Sequence, residues 1–323
     1  MRKRIIFFFL FILILLFFFL SVPQRKISWG INFSQKHSNL LGLDWQKVYL
    51  SLIDDLGFKN IRILVHWDLI EQNPNEYYFK DLDWQIQEAE KRRANVILVI
   101  GEKTGRWPEC HIPDYLSLRG EKIRQEKLLN FLKVLINRYK FSQALFAWQV
   151  ENEPFFPFGQ CPPREEEFLK KEIQLVKELD PGRKIIFSDS GEGSFWIRAA
   201  LLGDIVGTTL YRKVYFKPLN IFLSYPFPAA FYFLKKKIIN IFFKKDVWLL
   251  ELQAEPWCKN LLYQCDSEEQ RITMDFEKFK KIFHFAQRTG FEKIYFWGGE
   301  WWYWLKEKNK DSRIFDFVKE NIK

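Results

Sequence analysis

The stretch Ala147–Pro154 reads A-W-Q-V-E-N-E-P and joins the end of an apolar run to a group of polar residues. The apolar residues 144–150 are typical of a short buried strand, which Pro154 would end. The strand therefore delivers three polar side chains, 151–153, at its C-terminal end. A second stretch, 247–257, reads V-W-L-L-E-L-Q-A-E-P-W and predicts another apolar strand that ends in a carboxylate, Glu251.

Segments of strand type and segments of helical periodicity alternate through the rest of the chain. The predicted strands are 27–33, 60–65, 95–100, 144–150, 184–187, 204–210, 247–250 and 293–297. The predicted helices are 44–56, 82–93, 121–139, 164–179, 194–201, 231–243, 267–289 and 311–322. Eight such pairs predict an α/β fold, a (β/α)8 TIM barrel that forms a single domain over 27–323. An open doubly wound sheet usually has a glycine-rich turn after its first strand, and the sequence has none there.

In a barrel the two strand ends come close together, because the fourth and seventh strands face each other across the mouth. Glu153 and Glu251 can then approach although they lie 98 positions apart in the sequence. Two carboxyl groups suit hydrolysis of a glycosidic bond, since one protonates the leaving oxygen and the other attacks the anomeric carbon. A separation of about 5 to 5.5 Å would imply retention of configuration, and a wider gap inversion.

These residues resemble those of a known group of enzymes. N-E-P after a fourth strand, with a glutamate at the seventh, resembles clan A retaining glycoside hydrolases such as family 5 cellulase-like enzymes. The segment Trp67–Asp83 is similar to one found in β-galactosidase-like and family 39 members of the clan. The resemblance implies that Glu153 is the acid/base, that Glu251 is the nucleophile, and that Asn152 binds the substrate 2-hydroxyl.

The same resemblance assigns three further residues and shows two departures. It implies that Arg62 steadies the nucleophile, that Tyr211 donates a hydrogen bond to it, and that Trp297 is the platform under the sugar. Family 5 members commonly have a histidine after the third strand, where this chain has Gly-Glu-Lys at 101–103. A second histidine of that family corresponds to Thr209. The substrate is therefore not indicated by the resemblance.

Other polar and aromatic residues follow the predicted strands on the same face. Glu300 and Glu102 are candidate sugar ligands, whereas Glu255 fits either a loop salt bridge or the rim of the site. Glu151 is expected to point away, because strand neighbours alternate faces. The tryptophans expected to stack on sugar rings are Trp257, Trp107, Trp301, Trp302 and Trp304. No cofactor or metal is expected, since the four histidines form no H-x-H pair and no cysteine spacing suggests zinc.

The N-terminus predicts attachment to a membrane. Basic residues 2–4 precede the apolar run 5–22, which is about long enough to span a bilayer with its N-terminus in the cytoplasm. No small-residue cleavage site follows, which favours an uncleaved signal anchor over a cleaved signal peptide. The chain would then divide into an anchor segment, 1–26, and an extracytoplasmic domain, 27–323. The aromatic segment 213–245 is expected to hold an ordinary sixth helix, or alternatively to touch the membrane interface.

Four cysteines in an extracytoplasmic chain predict two disulfides, Cys258–Cys265 and Cys110–Cys161. Nucleic-acid binding is not expected, because the formal net charge of +10 lies partly in the anchor segment and no basic block sits on a nucleic-acid module. We expect a monomer that hydrolyses an oligo- or polysaccharide with retention of configuration. Two alternatives stay open: a transglycosylase that remodels surface glycans, and a non-catalytic barrel that binds glycans.

Overall fold

The structure is a computed structural model that describes residues 26–322. Eight parallel strands close a barrel in the order β1–β2–β3–β4–β5–β6–β9–β10, so the predicted (β/α)8 TIM barrel is confirmed. An antiparallel hairpin, β7–β8, stands between the sixth and seventh barrel strands. The strands are β1 Ser28–Phe33, β2 Asn60–Leu64, β3 Asn95–Ile100, β4 Leu145–Val150, β5 Lys184–Asp189, β6 Ile205–Leu210, β7 Lys213–Phe216, β8 Ile221–Ser224, β9 Asp246–Gln253 and β10 Lys293–Trp297.

Helices surround the barrel. The α-helices are α1 Gln35–Leu40, α2 Trp45–Leu50, α3 Trp67–Ile70, α4 Lys80–Lys91, α5 Glu121–Tyr139, α6 Glu166–Leu179, α7 Ile197–Leu202, α8 Ala229–Phe243, α9 Ser267–Thr273, α10 Phe276–Gln287, α11 Gly299–Lys308 and α12 Arg313–Asn321. A π-helical segment, Ser51–Asp55, continues α2. Among residues 26–322 no helix is long and apolar enough to cross a membrane. The predicted anchor, 5–22, lies outside the described residues.

The side chains of the barrel strands form two layers, one inside the barrel and one between the strands and the helices. This follows because successive residues of a strand point to opposite faces. In β4, Trp148 and Val150 pack outward against the helices, whereas Ala147 belongs to a separate cluster inside the barrel. That inner cluster is apolar, with Trp248 and Tyr295 as its largest members. Toward the C-terminal ends of the strands, polar side chains take over the inward positions. The barrel interior is thus apolar at one end and polar at the other.

Three predicted elements need correction. β9 runs to Gln253, so Glu251 lies inside the seventh barrel strand and not after its end. The predicted helix 267–289 is two helices, α9 and α10, because the side chain of Asp275 accepts a hydrogen bond from the backbone N–H of Lys278 and starts a new helix. The residues after the eighth strand, Gly299–Lys308, form helix α11 where a loop was predicted.

The segment 213–245 contains the hairpin β7–β8, which was not predicted from the sequence, followed by helix α8. Helix α8 packs against β9, as an ordinary barrel helix does. Two of its lysines, Lys235 and Lys236, are buried, and their Nζ atoms donate to the carbonyls of Gly191 and Gly290. The two lysines can be buried because their long stems pack against apolar neighbours while their ammonium groups donate to backbone carbonyls.

Both predicted disulfides are confirmed. Cys110 is bonded to Cys161 with 5.3 Å between their Cα atoms, and Cys258 to Cys265 with 6.2 Å. The first bond joins the connection after β3 to the connection after β4. It therefore links the connection that carries Glu153 to the connection after β3.

Candidate active site

Arg62 is the centre of the polar layer at the barrel mouth. It points inward from β2 and is completely buried. Its Nη1 donates to Asn32 Oδ1 at 2.6 Å and to Glu251 Oε1 at 3.1 Å. Its Nη2 donates to Asn152 Oδ1 at 2.8 Å, and its Nε to Gln149 Oε1 at 2.7 Å. A buried guanidinium is tolerated only when it is paired and hydrogen-bonded, and here β1, β4, β9 and the connection after β4 supply four acceptors for it.

A β-bulge turns Glu251 toward Arg62. Between Leu249 and Leu252, β9 takes three steps where its neighbour β10 takes two, and the register with β6 shifts at the same place. Leu250 packs in the apolar cluster inside the barrel, yet the next side chain, Glu251, also faces the interior. Strict alternation forbids this arrangement, and a bulge permits it because the extra residue re-aims one side chain.

Two donors hold the Glu251 carboxylate. Arg62 bonds its Oε1, and the hydroxyl of Tyr211 donates to its Oε2 at 2.9 Å. The bond from Arg62 is charge-assisted and therefore one of the stronger kinds. Together the two bonds fix the plane of the carboxylate.

Glu153 follows β4 in a different environment. Its backbone has φ of +43°, in the left-handed region, and its N–H donates to Ser188 Oγ at 2.9 Å. The hydroxyl of Thr209 donates to Glu153 Oε1 at 3.2 Å. Burial raises the pKa of Glu153 well above its usual value, and the negative charge of Glu251 adds to that increase. The group therefore keeps a proton at a pH where an ordinary glutamate has lost it.

Glu151 and Glu102 lie behind this pair and do not face the substrate space. The two oxygens of Glu151 accept from the backbone N–H groups of Glu102 and Lys103 at 2.8 and 2.6 Å. Glu102 is paired with Arg124 at 2.9 Å and Arg164 at 2.8 Å and is 1% exposed. Its carboxylate is thus occupied by two arginines, so the expectation that Glu102 is a sugar ligand is not supported by its position.

The predicted sugar platform, Trp297, is covered on one face. The guanidinium of Arg106 lies 4.2 Å from the centre of the Trp297 ring, which is 7% exposed. Arg106 also pairs with Glu255, and with Glu300 Oε2 at 2.9 Å. Burial alone would raise the pKa of Glu255, but Arg106 and His37 hold it at about 2. Glu255 and Glu300 thus form ion pairs under the rim, and Glu300, which also accepts from Ser34 N, is fully buried.

Four of the five tryptophans predicted to stack on sugar fall into two groups, and the fifth, Trp304, is half-buried in α11. Trp257 is half-buried at the rim, with its ring 5.2 Å from that of Tyr211 and perpendicular to it. Trp107 is 42% exposed. Trp301 and Trp302 were predicted to lie in a loop, and that prediction is wrong. They are buried in α11, where their Nε1 atoms donate to Gln270 Oε1 and to the carbonyl of Ala254. They pack the core because the glycine-rich stretch that begins α11 is a helix start and not a loop.

Some residues of the site were not singled out from the sequence. Asn32 and Gln149 each interrupt an apolar strand and both accept from Arg62, so a polar residue inside a strand was an available signal. Gln253 Oε1 accepts from the N–H groups of Arg212 and Lys213 and ties the hairpin to β9. Glu109, in the connection after β3, left no periodic signal because it belongs to an irregular loop.

The proteins that resemble this chain in sequence and those that resemble it in fold are both named as glycosidases. No protein-family model matches the chain. The probable mannan endo-1,4-beta-mannosidase F of Aspergillus flavus is 24% identical over 179 residues, which span 44% of this chain and 37% of that relative. The chain thus spans less than two thirds of that relative's length, and a likeness of this extent leaves the activity to be tested.

Solved structures of similar fold are also glycoside hydrolases. GH5_18 of Streptomyces cattleya, in complex with GlcNAc, has a TM-score of 0.59 at 13% identity and covers 85% of this chain and 71% of its own. The exo-beta-1,4-mannosidase Op5Man5 of Opitutaceae bacterium strain TAV5 has a TM-score of 0.57 at 15% identity, with 85% and 52% covered. At this level of identity the comparisons establish the shared barrel fold.

Proposed function

We propose that the chain is a retaining glycoside hydrolase that cleaves O-glycosidic bonds of an oligo- or polysaccharide. The observation that carries the proposal is the contrast between two carboxyl groups at one barrel mouth. Arg62 and Tyr211 donate hydrogen bonds to the two oxygens of Glu251. Burial and the charge of Glu251 raise the pKa of Glu153, which favours its protonated form. Two carboxyl groups in such different surroundings suit the roles of a nucleophile and an acid.

The reaction follows from these roles in two steps. The ionised Glu251 attacks the anomeric carbon while Glu153 gives its proton to the leaving oxygen, so one C–O bond forms as another breaks. Glu153, now ionised, takes a proton from water, and the resulting oxygen attacks the anomeric carbon and frees Glu251. Asn152 Oδ1 is held by Arg62, which leaves its Nδ2 to bind the substrate 2-hydroxyl.

The substrate class is proposed from the relatives. One curated relative is named a mannan endo-1,4-beta-mannosidase and one structural neighbour an exo-beta-1,4-mannosidase, so β-1,4-linked mannose polymers and oligomers are the first substrates to test. The location is proposed from the sequence: the apolar run 5–22 would anchor the enzyme and leave the barrel outside the cytoplasm. Two disulfides in the described domain fit such a location.

The decisive experiment substitutes the two carboxyls separately. Glu153→Gln and Glu251→Gln should each lower kcat on aryl β-glycosides and mannans by about 1000-fold or more. Glu126→Gln, on the exposed side of α5, is the matched control and should keep full activity. Full activity in either active-site variant would contradict the assignment.

The products of the same reactions define the outcome of the second step. NMR of the first product should show the β-anomer, since two displacements retain configuration. Transfer to a sugar acceptor in place of water would identify a transglycosylase, and binding of mannan without turnover would identify a glycan-binding barrel. Either result would replace hydrolysis as the assigned function.

A further inference from the structure

The connection after β3, 101–111, lies against the barrel mouth and is fastened at several points. Cys110 is bonded to Cys161 in the connection after β4. The N–H of Gln160 donates to the carbonyl of Pro108 at 2.9 Å, and the N–H of His111 to that of Glu102 at 2.8 Å. Side chains on this connection are therefore held in place relative to Glu153.

Glu109 belongs to this connection and has an unusual position. It is 8% exposed, and its φ of +76° is rare for a residue other than glycine. A Cβ at Gly159 would lie 2.5 Å from Glu109 Cβ and 2.6 Å from Cγ, so the neighbouring connection presses on the aliphatic stem. The contact fixes the aliphatic stem of Glu109 against Gly159, a position that has no room for a side chain.

The charged groups around the Glu109 carboxyl group show where it lies. The charges that act on Glu109 are those of Lys103 and Arg106 on its own connection, Glu251 on β9 and Arg62 on β2. All four residues belong to the mouth. Burial raises the pKa of Glu109 to about 7, so the group is partly ionised near neutral pH.

Within residues 26–322 the Glu109 carboxylate has no hydrogen-bond or ion-pair partner. Glu192, another acid near the mouth whose burial raises its pKa to about 7, accepts from the hydroxyl of Tyr232 at 2.7 Å and from Tyr211 N at 3.0 Å. The oxygens of Glu109 are not fully enclosed, so a bound ligand can reach them and supply the missing hydrogen-bond partners. Backbone strain at the same residue points to a functional constraint.

We propose that Glu109 is a third carboxyl group of the active site, and that it accepts hydrogen bonds from hydroxyl groups of the sugar bound between Glu153 and Glu251. This inference rests on the proposed glycosidase function and deepens it. A carboxylate has two oxygens and can accept from two vicinal hydroxyls, which gives the buried group the partners that it lacks. Glu109 is thus a substrate-binding residue that selects for the arrangement of those hydroxyls.

The charge of Glu109 has a second effect, on the acid Glu153. A negative charge nearby makes loss of a proton less favourable, and Glu109 is among the groups that raise the pKa of Glu153. Removing this charge lowers the pKa of Glu153. The basic limb of the kcat/KM profile, which reports loss of the proton from the free enzyme's acid, then moves to lower pH.

The test uses the full chain and the best substrate from the glycoside panel. Glu109→Ala should lower kcat/KM by about 100-fold and Glu109→Gln by about 10-fold, because the amide still accepts one uncharged hydrogen bond. Both variants should shift the basic limb to lower pH. In a Glu153→Gln background, adding Glu109→Gln should weaken oligosaccharide binding by about 10-fold, measured by calorimetry.

Glu126→Gln is the control. Glu126 is also a glutamate, but it lies on the exposed side of α5, outside the barrel. It should change neither the pH profile nor the binding constant. The inference is overturned if both Glu109 variants keep the wild-type profile and affinity, or if they lower only the melting temperature.

The two proposals fail in different ways. If Glu153→Gln and Glu251→Gln stay active, the glycosidase assignment itself is wrong. If those variants are inactive while Glu109→Ala behaves as wild type, only the role of Glu109 is wrong.

Discussion

The two ends of the barrel differ in chemistry. At the N-terminal end the interior is closed by aromatic rings: Phe146 and Trp248 lie 5.7 Å apart, with the ammonium group of Lys293 over both. At the C-terminal end the interior holds Arg62 and Glu251 among amides and hydroxyls. Barrel enzymes place catalysis at the C-terminal end and leave stability to the other, and the contrast here follows that division.

The two ends of the barrel also differ in charge. The connections that lead into the strands, with the first strand residues, are 26–28, 56–60, 92–95, 140–145, 180–184, 203–205, 244–246 and 288–293. They carry eleven Lys and Arg but only four Asp and Glu. The mouth, in contrast, collects buried carboxyls such as Glu109, Glu153 and Glu251. The carboxyl groups at the mouth are therefore a local feature of a basic protein, and buried partners and strained backbone hold them in place.

The largest expected effect comes from Arg62→Lys at the mouth. A lysine has three donors and no planar fork, so it cannot serve the four acceptors that Arg62 serves. We expect kcat to fall by about 1000-fold and the free energy of unfolding by about 3 to 5 kcal/mol, the range for breaking a buried ion pair. Kinetics and urea unfolding measure the two effects. Arg119→Lys, in an exposed loop, is the control, and unchanged kinetics in Arg62→Lys would refute the central role.

Trp248→Ala tests the opposite end. The side chain is 7% exposed in the apolar cluster, and its truncation should cost about 3 to 5 kcal/mol of unfolding free energy. Because the cavity lies at the N-terminal end, kcat/KM at a temperature where the variant is folded should stay within about 2-fold. A parallel loss of activity would show that the two ends are not independent.

Tyr211→Phe should separate function from stability at the mouth itself. It removes only the hydrogen bond to Glu251 Oε2, and a bond to a charged group contributes about 1.5 to 3 kcal/mol. We expect kcat to fall about 10- to 100-fold while urea unfolding changes by less than about 1 kcal/mol. Tyr215→Phe is the control, since its hydroxyl bonds Asn220 in the exposed hairpin. A wild-type kcat in Tyr211→Phe would argue against Glu251 as nucleophile.

The smallest effect is a change in the pH dependence of stability. The pKa of Glu192 is raised to about 7, so the folded chain keeps a proton that the unfolded chain releases above about pH 4.5. Stability from this group is complete below about pH 4.5 and is lost as the pH rises to about 7. Glu192→Gln keeps an acceptor for Tyr211 and Tyr232 without the charge. Its stability relative to wild type should therefore rise by about 1 to 3 kcal/mol from pH 4.5 to 7, and equal slopes in urea titrations would disprove this.

The barrel could be predicted from the sequence because periodicity and order are local properties that the chain displays directly. Eight apolar segments at regular intervals, each followed by a helical pattern, allow few other folds. Glu153 and Glu251 could be paired once the ordinal numbers of their strands were known. The predicted helix 267–289 was wrong in detail and the helix 299–308 was not predicted, because a cap at Asp275 and a helix start at Gly299 depend on backbone geometry and not on hydrophobic pattern.

What the sequence could not supply were positions that depend on irregular backbone. The bulge at Leu250 and Glu251 breaks the alternation on which face assignments rely. Arg106 and Glu109 adopt positive φ in a loop that has no period, so their approach to Trp297 and to the carboxyl pair could not be inferred. Trp302 looked like a loop residue and is a buried one.

The Cys110–Cys161 bond has a consequence for proteolysis. It closes a ring of chain that includes α5, β4 and an exposed segment at Leu118, which is 98% exposed beside Arg119. A trypsin cut after Arg119 would leave one covalent molecule on a non-reducing gel and two fragments after reduction. Glu109 and Glu153 would then stand on different pieces joined by sulfur. A nicked enzyme can therefore keep its working groups in place as long as the cystine is intact.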